Sequence, residues 1–217
     1  MKRILMMAAV LLMTGVLYAE EGWKPLFNAD LSNADYDAKV WSVTPEGWIT
    51  AASDAPLWTK AEYENFELSL EFKSTAHTNS GVLVYGTDKV NWIPCTVELQ
   101  ILGGKDDESK ELTIHDCGAI YGHVAPSKYM VKPAGEWNQM KVRCVGPMVT
   151  VWVNGEQVSQ ADLRQYTSAT KNPDGSDIPS WLTVPMAKIP NKGFIGFQGK
   201  HGNAWIFFRN IQIRDVK

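Results

Sequence analysis

The chain has 217 residues, 45% of them apolar and 21% charged. That is enough apolar material for a sizeable core and too ordinary a charge content for a disordered or fibrous protein. Lysine and arginine number 21 against 24 aspartates and glutamates, a net −3, which leaves no basic footprint for nucleic acid. Nine tryptophans and 17 glycines point instead to many turns and to aromatic surfaces.

The first element is a leader. Lys2 and Arg3 precede an uncharged run over residues 4–18, and Ala19 supplies the small residue before Glu20. The run is shorter than a comfortable membrane span, and no cysteine follows the cut for a lipid anchor. We expect a signal peptide over 1–19 and a mature domain over 20–217. The location expected is secreted or periplasmic, with no membrane attachment after cleavage.

Beyond the leader, short alternating runs separated by turn residues predict strands, with no long helical pattern. Phe66, Leu68, Leu70 and Phe72 alternate with Glu67, Ser69 and Glu71. In residues 95–101 a period of two puts Val97, Leu99 and Ile101 on one face and Thr96, Glu98 and Gln100 on the other. Residues 103–116 are polar, and the acidic run Asp106, Asp107, Glu108 reads as a solvated turn. Met140, Val142 and Cys144 share an apolar face, which makes Cys144 a core residue. Cys95 and Cys117 remain as buried thiols or as a disulfide. Val149, Val151 and Val153 form the next strand, closed by Asn154-Gly155 as a tight hairpin turn. Residues 164–192 carry four prolines and Trp181; a connection of that length serves as a binding loop or as an ordered surface wrap. Strands over 193–198 and 204–213 close the chain. The pattern fills one all-β sandwich.

The candidate chemistry lies on the polar face of 96–100. The apolar set must face the core, so Glu98 and Gln100 project from the other side, about 7 Å apart along the strand. His201, in the glycine-flanked stretch Gly199-Lys200-His201-Gly202, is free of strand packing and suited to proton transfer. His77 and His115 read as surface loop residues.

Residues 22–28 (Gly-Trp-Lys-Pro-Leu-Phe-Asn), Asn79-Ser80-Gly81-Val82, Val97-Glu98-Leu99-Gln100-Ile101, Cys117-Gly118-Ala119-Ile120-Tyr121-Gly122-His123, Gly135-Glu136-Trp137-Asn138, Gly196-Phe197-Gln198-Gly199-Lys200-His201-Gly202 and Phe208-Arg209-Asn210-Ile211 follow in an order and spacing that resembles the 3-keto-disaccharide hydrolase domain family. The resemblance covers nearly the whole mature chain. It implies a jelly-roll β-sandwich similar to the concanavalin A-like lectins and glucanases, and an enzyme whose partner is a carbohydrate. Glucanases of that fold carry a pattern like E-x-D-x-x-E on one strand. Here the strand reads Glu98-Leu99-Gln100-Ile101-Leu102-Gly103, so the second carboxylate that ordinary glycoside hydrolysis needs is missing.

A 3-keto-glycoside needs less. Its carbonyl acidifies the C2 proton, so one base, one acid and a group that stabilises the enolate suffice for β-elimination and rehydration. The resemblance makes Glu98, His201 and His123 the catalytic candidates, Glu98 first, as base or as a metal ligand, and His201 as acid or base. Gln100, Asn79 and Gln198 are candidates for orienting hydroxyls, and Lys200 or Arg209 for the enolate. Tyr85 stands where many relatives carry an arginine and joins the substrate-contact candidates. Trp92 and Trp181 are the candidate sugar platforms, whereas Trp23, Trp41, Trp137, Trp152 and Tyr121 read as packing. If a divalent ion takes part, Glu98, His123 and His201 are its expected ligands. The competing readings are a non-catalytic lectin-like module and a conventional glycosidase drawing a second carboxylate from Asp116 or Asp174.

Overall fold

The computed structural model describes residues 22–104, 111–201 and 203–217. The expected leader over 1–19 and the acidic run at 106–108 lie outside the described residues. The strands in chain order are β1 (Lys24–Pro25), β2 (Ala34–Asp35), β3 (Trp41–Val43), β4 (Ile49–Ala51), β5 (Leu57–Tyr63), β6 (Phe66–Ser74), β7 (Asn79–Gly86), β8 (Val97–Leu102), β9 (Trp137–Val145), β10 (Met148–Val153), β11 (Glu156–Asp162), β12 (Gly193–Phe197) and β13 (Ile206–Asp215). Only single 3₁₀ turns interrupt them among the described residues, the first at Ile93–Cys95. No helix of the described residues is long and apolar enough to cross a membrane.

Alternation dictates two layers. One sheet runs β11-β10-β9-β6-β13-β4-β3 with β1 added on β13, and the other runs β2-β5-β12-β7-β8. All pairings are antiparallel, so the molecule is the all-β sandwich that the patterning predicts. Phe66, Leu68, Leu70 and Phe72 of β6 meet Val82 and Val84 of β7 and Val97, Leu99 and Ile101 of β8 in one core cluster. Burying each such side chain contributes roughly 1.5–3 kcal/mol. Cys144 is fully buried on β9, and the three cysteines are free thiols. Asn154 and Gly155 both adopt positive φ, 50° and 88°, the conformation a type I′ hairpin requires.

Two connections build the site. After β8 the chain returns along that strand's free edge: Gly118 N donates to Gln100 O, Gln100 N to Ala119 O and Tyr121 N to Glu98 O, all within 2.9–3.0 Å. The edge is thereby covered. The long connection 164–192 then locks onto this returning segment, with Asn172 Nδ2 donating to Gly122 O at 3.1 Å. Ile178, Leu182, Met186 and Ile189 of the connection are buried, so it is a packed wrap along most of its length, and Trp181 projects from it with half of its surface exposed (53%).

Candidate active site

A cavity of about 320 Å³ opens on the outer face of the five-stranded sheet, lined by Asn79, Trp92, Ile93, Glu98, Tyr121, Trp181, Gln198 and His201. The size is at the small end for ligand sites. Each polar member arrives for a local reason. Glu98 faces outward because Val97 and Leu99 face the core. Its carboxyl lies over Gly81 of the neighbouring strand, where a Cβ would fall 2.5 Å from Oε1. Asn79 opens β7 and Gln198 follows β12; Gln198 N donates to Gly81 O at 2.9 Å and Ser80 Oγ donates to Gln198 O at 2.7 Å. The next residue, Gly199, lies so close to the β4–β5 turn that a Cβ would sit 2.2 Å from Ser53 O. That approach, open only to glycine, brings His201 onto Asp54: Nδ1 lies 2.6 Å from Asp54 Oδ2. With Nδ1–H donating to the carboxylate, Nε2 is the ring nitrogen left for a ligand.

Electrostatics separate the two groups. Burial, with the charge of Asp54 as a smaller contribution, pushes the Glu98 carboxyl up to about 8. At pH 7 roughly nine in ten molecules then carry Glu98 as a neutral acid. Burial also raises Asp54, opposed by His201. Tyr121 is raised by burial and by Glu98, and its hydroxyl is hydrogen-bonded by Trp181. The cavity thus presents one proton-bearing carboxyl and one imidazole oriented by a carboxylate, with aromatic and aliphatic side chains around them.

Of the residues singled out in the sequence, the cavity brings together Glu98, His201, Asn79, Gln198, Trp92 and Trp181. Gln100 stands directly behind: it is buried, and its Nε2 donates to Asn79 Oδ1 at 2.9 Å. Four candidates lie elsewhere. His123 is turned away, with Nδ1 2.9 Å from Asn172 Oδ1 and its ring edge-on to Tyr166, which makes it a fastening between the two connections. Burial holds it below the ordinary imidazole range. Tyr85 would share the outer face with Leu83 in a regular strand, but its φ of 57° breaks the alternation. The ring therefore enters the core and its hydroxyl donates to Gly146 O at 2.8 Å. Arg209 faces outward, but from the other sheet: Nε donates to Glu71 Oε2 at 2.6 Å and the guanidinium stacks 3.9 Å over Trp137. Lys200 does not line the cavity as His201 does; its ammonium lies 3.9 Å over Trp205.

With His123 absent from the cavity, the ligand set Glu98, His123, His201 is not assembled, and no group of three or more His, Cys, Asp or Glu among the described residues is placed to hold a metal ion. Asp116 and Asp174 are tied into their own turns by Thr113 and Ser176. Two contributors escaped the sequence reading. Asp54 left no local signal, because its partner comes from a distant loop. Tyr121, read as packing, belongs to the cavity because its segment pairs with β8, and only that pairing reveals it.

The comparisons agree with this architecture. A crystal structure from Parabacteroides distasonis, described only provisionally as a glycosyl hydrolase, is 51% identical, covers 89% of this chain and 99% of its own, and superposes with a TM-score of 0.84. A Bacillus subtilis protein with a galectin-like fold shares the fold alone, at 11% identity and a TM-score of 0.56 over 89% of this chain and 94% of its own. A curated relative from Bacteroides thetaiotaomicron, named 3-keto-disaccharide hydrolase, is 26% identical over 173 residues; the match takes in 70% of this chain and 59% of the relative's length. Residues 22–214 match the model of the 3-keto-alpha-glucoside-1,2-lyase-like domain, and the chain, with its outward Glu98 and its Gly199-turned His201, belongs to that family.

Proposed function

We propose that this protein cleaves 3-keto-glycosides, with His201 as base and Glu98 as acid. The observation that carries the reading is the pairing, in one sugar-sized cavity, of a carboxyl held protonated near neutrality with an imidazole oriented by Asp54. Nε2 of His201 takes the C2 proton. The C–H electron pair forms C2=C3 and the carbonyl π pair moves to oxygen. As the carbonyl re-forms, the C1–O bond breaks, and Glu98 gives its proton to the departing alcohol. Water adds to C1 of the resulting enone, losing its proton to the Glu98 carboxylate, while His201 returns a proton to C2. The sum is hydrolysis with both groups restored. The family match and the names of the relatives support the substrate class, and the leader-like start of the chain supports action outside the cytoplasm.

Ordinary glycosidic cleavage needs two carboxyl groups flanking the bond. The second one near the cavity, Asp54, is engaged with His201 and does not line the cavity. The test is incubation with a 3-keto-glucoside and with its unoxidised parent in deuterated water, followed by NMR. Cleavage of the keto sugar with deuterium at C2 is expected. Cleavage without exchange replaces elimination by direct displacement, cleavage of the parent glycoside makes the protein a conventional glycosidase, and binding without turnover of either makes it a lectin-like module.

A further inference from the structure

A 3-keto sugar differs from its parent at one oxygen, which accepts hydrogen bonds and no longer donates. Reading that difference takes a donor fixed in direction. Asn79 lines the cavity, and its amide has a donor end and an acceptor end. Gln100 decides which end is available: it is buried, and its Nε2 donates to Asn79 Oδ1 at 2.9 Å. Asn79 Nδ2 is left without a protein partner among the described residues. Turning Gln100 over would leave a buried NH₂ with no acceptor in place of a buried carbonyl with no donor, and an orphaned donor is the rarer and costlier of the two. Two further observations point to a ligand. Gln198, which lines the cavity and is only 7% exposed, keeps its Oε1 buried and without a partner. The backbone N–H of His201 donates to Asn79 O at 3.1 Å, so the residues that carry the base and the amide adjoin at one end of the cavity they both line.

We infer that Asn79 Nδ2 donates to the 3-oxo oxygen of the substrate and to the enolate oxygen it becomes, and that Gln100 is the positioning residue that keeps the amide in that sense. This rests on the keto-glycoside reading above. No proton is transferred through Asn79; its N–H strengthens its hydrogen bond as charge builds on the oxygen.

The test uses Asn79→Asp, which keeps an oxygen for Gln100 and replaces the donor by a charged oxygen, and Gln100→Glu, whose carboxylate accepts from Nδ2 and turns the Asn79 amide around without placing a charge in the cavity lining. Both are assayed for kcat/KM and C2 exchange on a 3-keto-glucoside, and for affinity toward the unoxidised parent by calorimetry. Expected is a fall in kcat/KM of about 10²–10³-fold for each variant. Affinity for the parent should be retained or raised, because in either variant its 3-hydroxyl can donate to the oxygen that takes the place of Asn79 Nδ2. Thermal melting checks that each variant folds, and either one alone suffices. Activity within about threefold of wild type, or equal losses for keto sugar and parent, overturns the assignment while leaving the keto-glycoside reading intact. A wild-type protein inert toward the keto sugar overturns both, and does so before any variant is made.

Discussion

Replacing Glu98 by glutamine tests the electrostatics of the cavity without any substrate. Glutamine fills the same space with a neutral amide, close to the form in which the folded protein holds Glu98 at neutral pH. The carboxyl is raised from 4.5 to about 8, so between those limits the folded state binds a proton that the unfolded chain releases, and stability must fall as pH rises. The slope is about 1.4 kcal/mol per pH unit, with a ceiling of about 5 kcal/mol across the interval. Below pH 4.5 the contribution is flat, and above about 8 it is fully lost. Denaturant midpoints for wild type and Glu98→Gln at about pH 5, 7 and 9 measure the difference directly. The variant should gain on wild type steadily as pH rises. Parallel stability curves would show that Glu98 ionises like an exposed carboxylate, and its role as a proton-bearing acid would fall with them.

The same proton predicts that kcat on a 3-keto-glucoside declines as pH rises through about 8, because the acid form of Glu98 is lost; a rate unchanged from pH 7 to 9 would contradict it. Asp54→Asn should lower kcat by about 100-fold with KM nearly unchanged, since Asp54 touches His201 and not the cavity. Trp181→Ala should raise KM about tenfold, the loss of an aromatic wall and of the Tyr121 hydrogen bond costing roughly 1–1.5 kcal/mol, read from steady-state kinetics. His123→Ala should leave kcat intact while destabilising the fold by about 1–3 kcal/mol, because Asn172 loses a buried partner; thermal melting beside an activity assay separates the two.

Period-two reasoning carried far where strands are regular. It placed Glu98 and Gln100 opposite Val97, Leu99 and Ile101, and put Cys144 in the core. Tyr85 was a candidate through the resemblance alone, and one left-handed residue sends its ring inward, a kink for which a tyrosine gives no sequence cue. Arg209, also a candidate through the resemblance, lies on the other sheet: alternation says that a side chain leaves the core, not which of two sheets it leaves from. Lys200 and His201 show the same limit over a single step, since only the folded loop decides which of two neighbours enters the cavity. His123 and Asp54 are matters of tertiary meeting. One was drawn to Asn172 and the other to His201 by connections whose course no local pattern records.

Gly81 carries no functional group, yet the carboxyl of Glu98 occupies the volume its missing side chain would fill. The strand bearing it is paired on both sides, by β8 and β12, so its backbone has nowhere to retreat. Adding one methyl there would evict the acid while sparing the amides, the tryptophans and the sandwich beneath them. On the reading proposed here, a working catalyst and an inert sugar holder built on this scaffold are separated by a single carbon atom at a position that never meets the sugar.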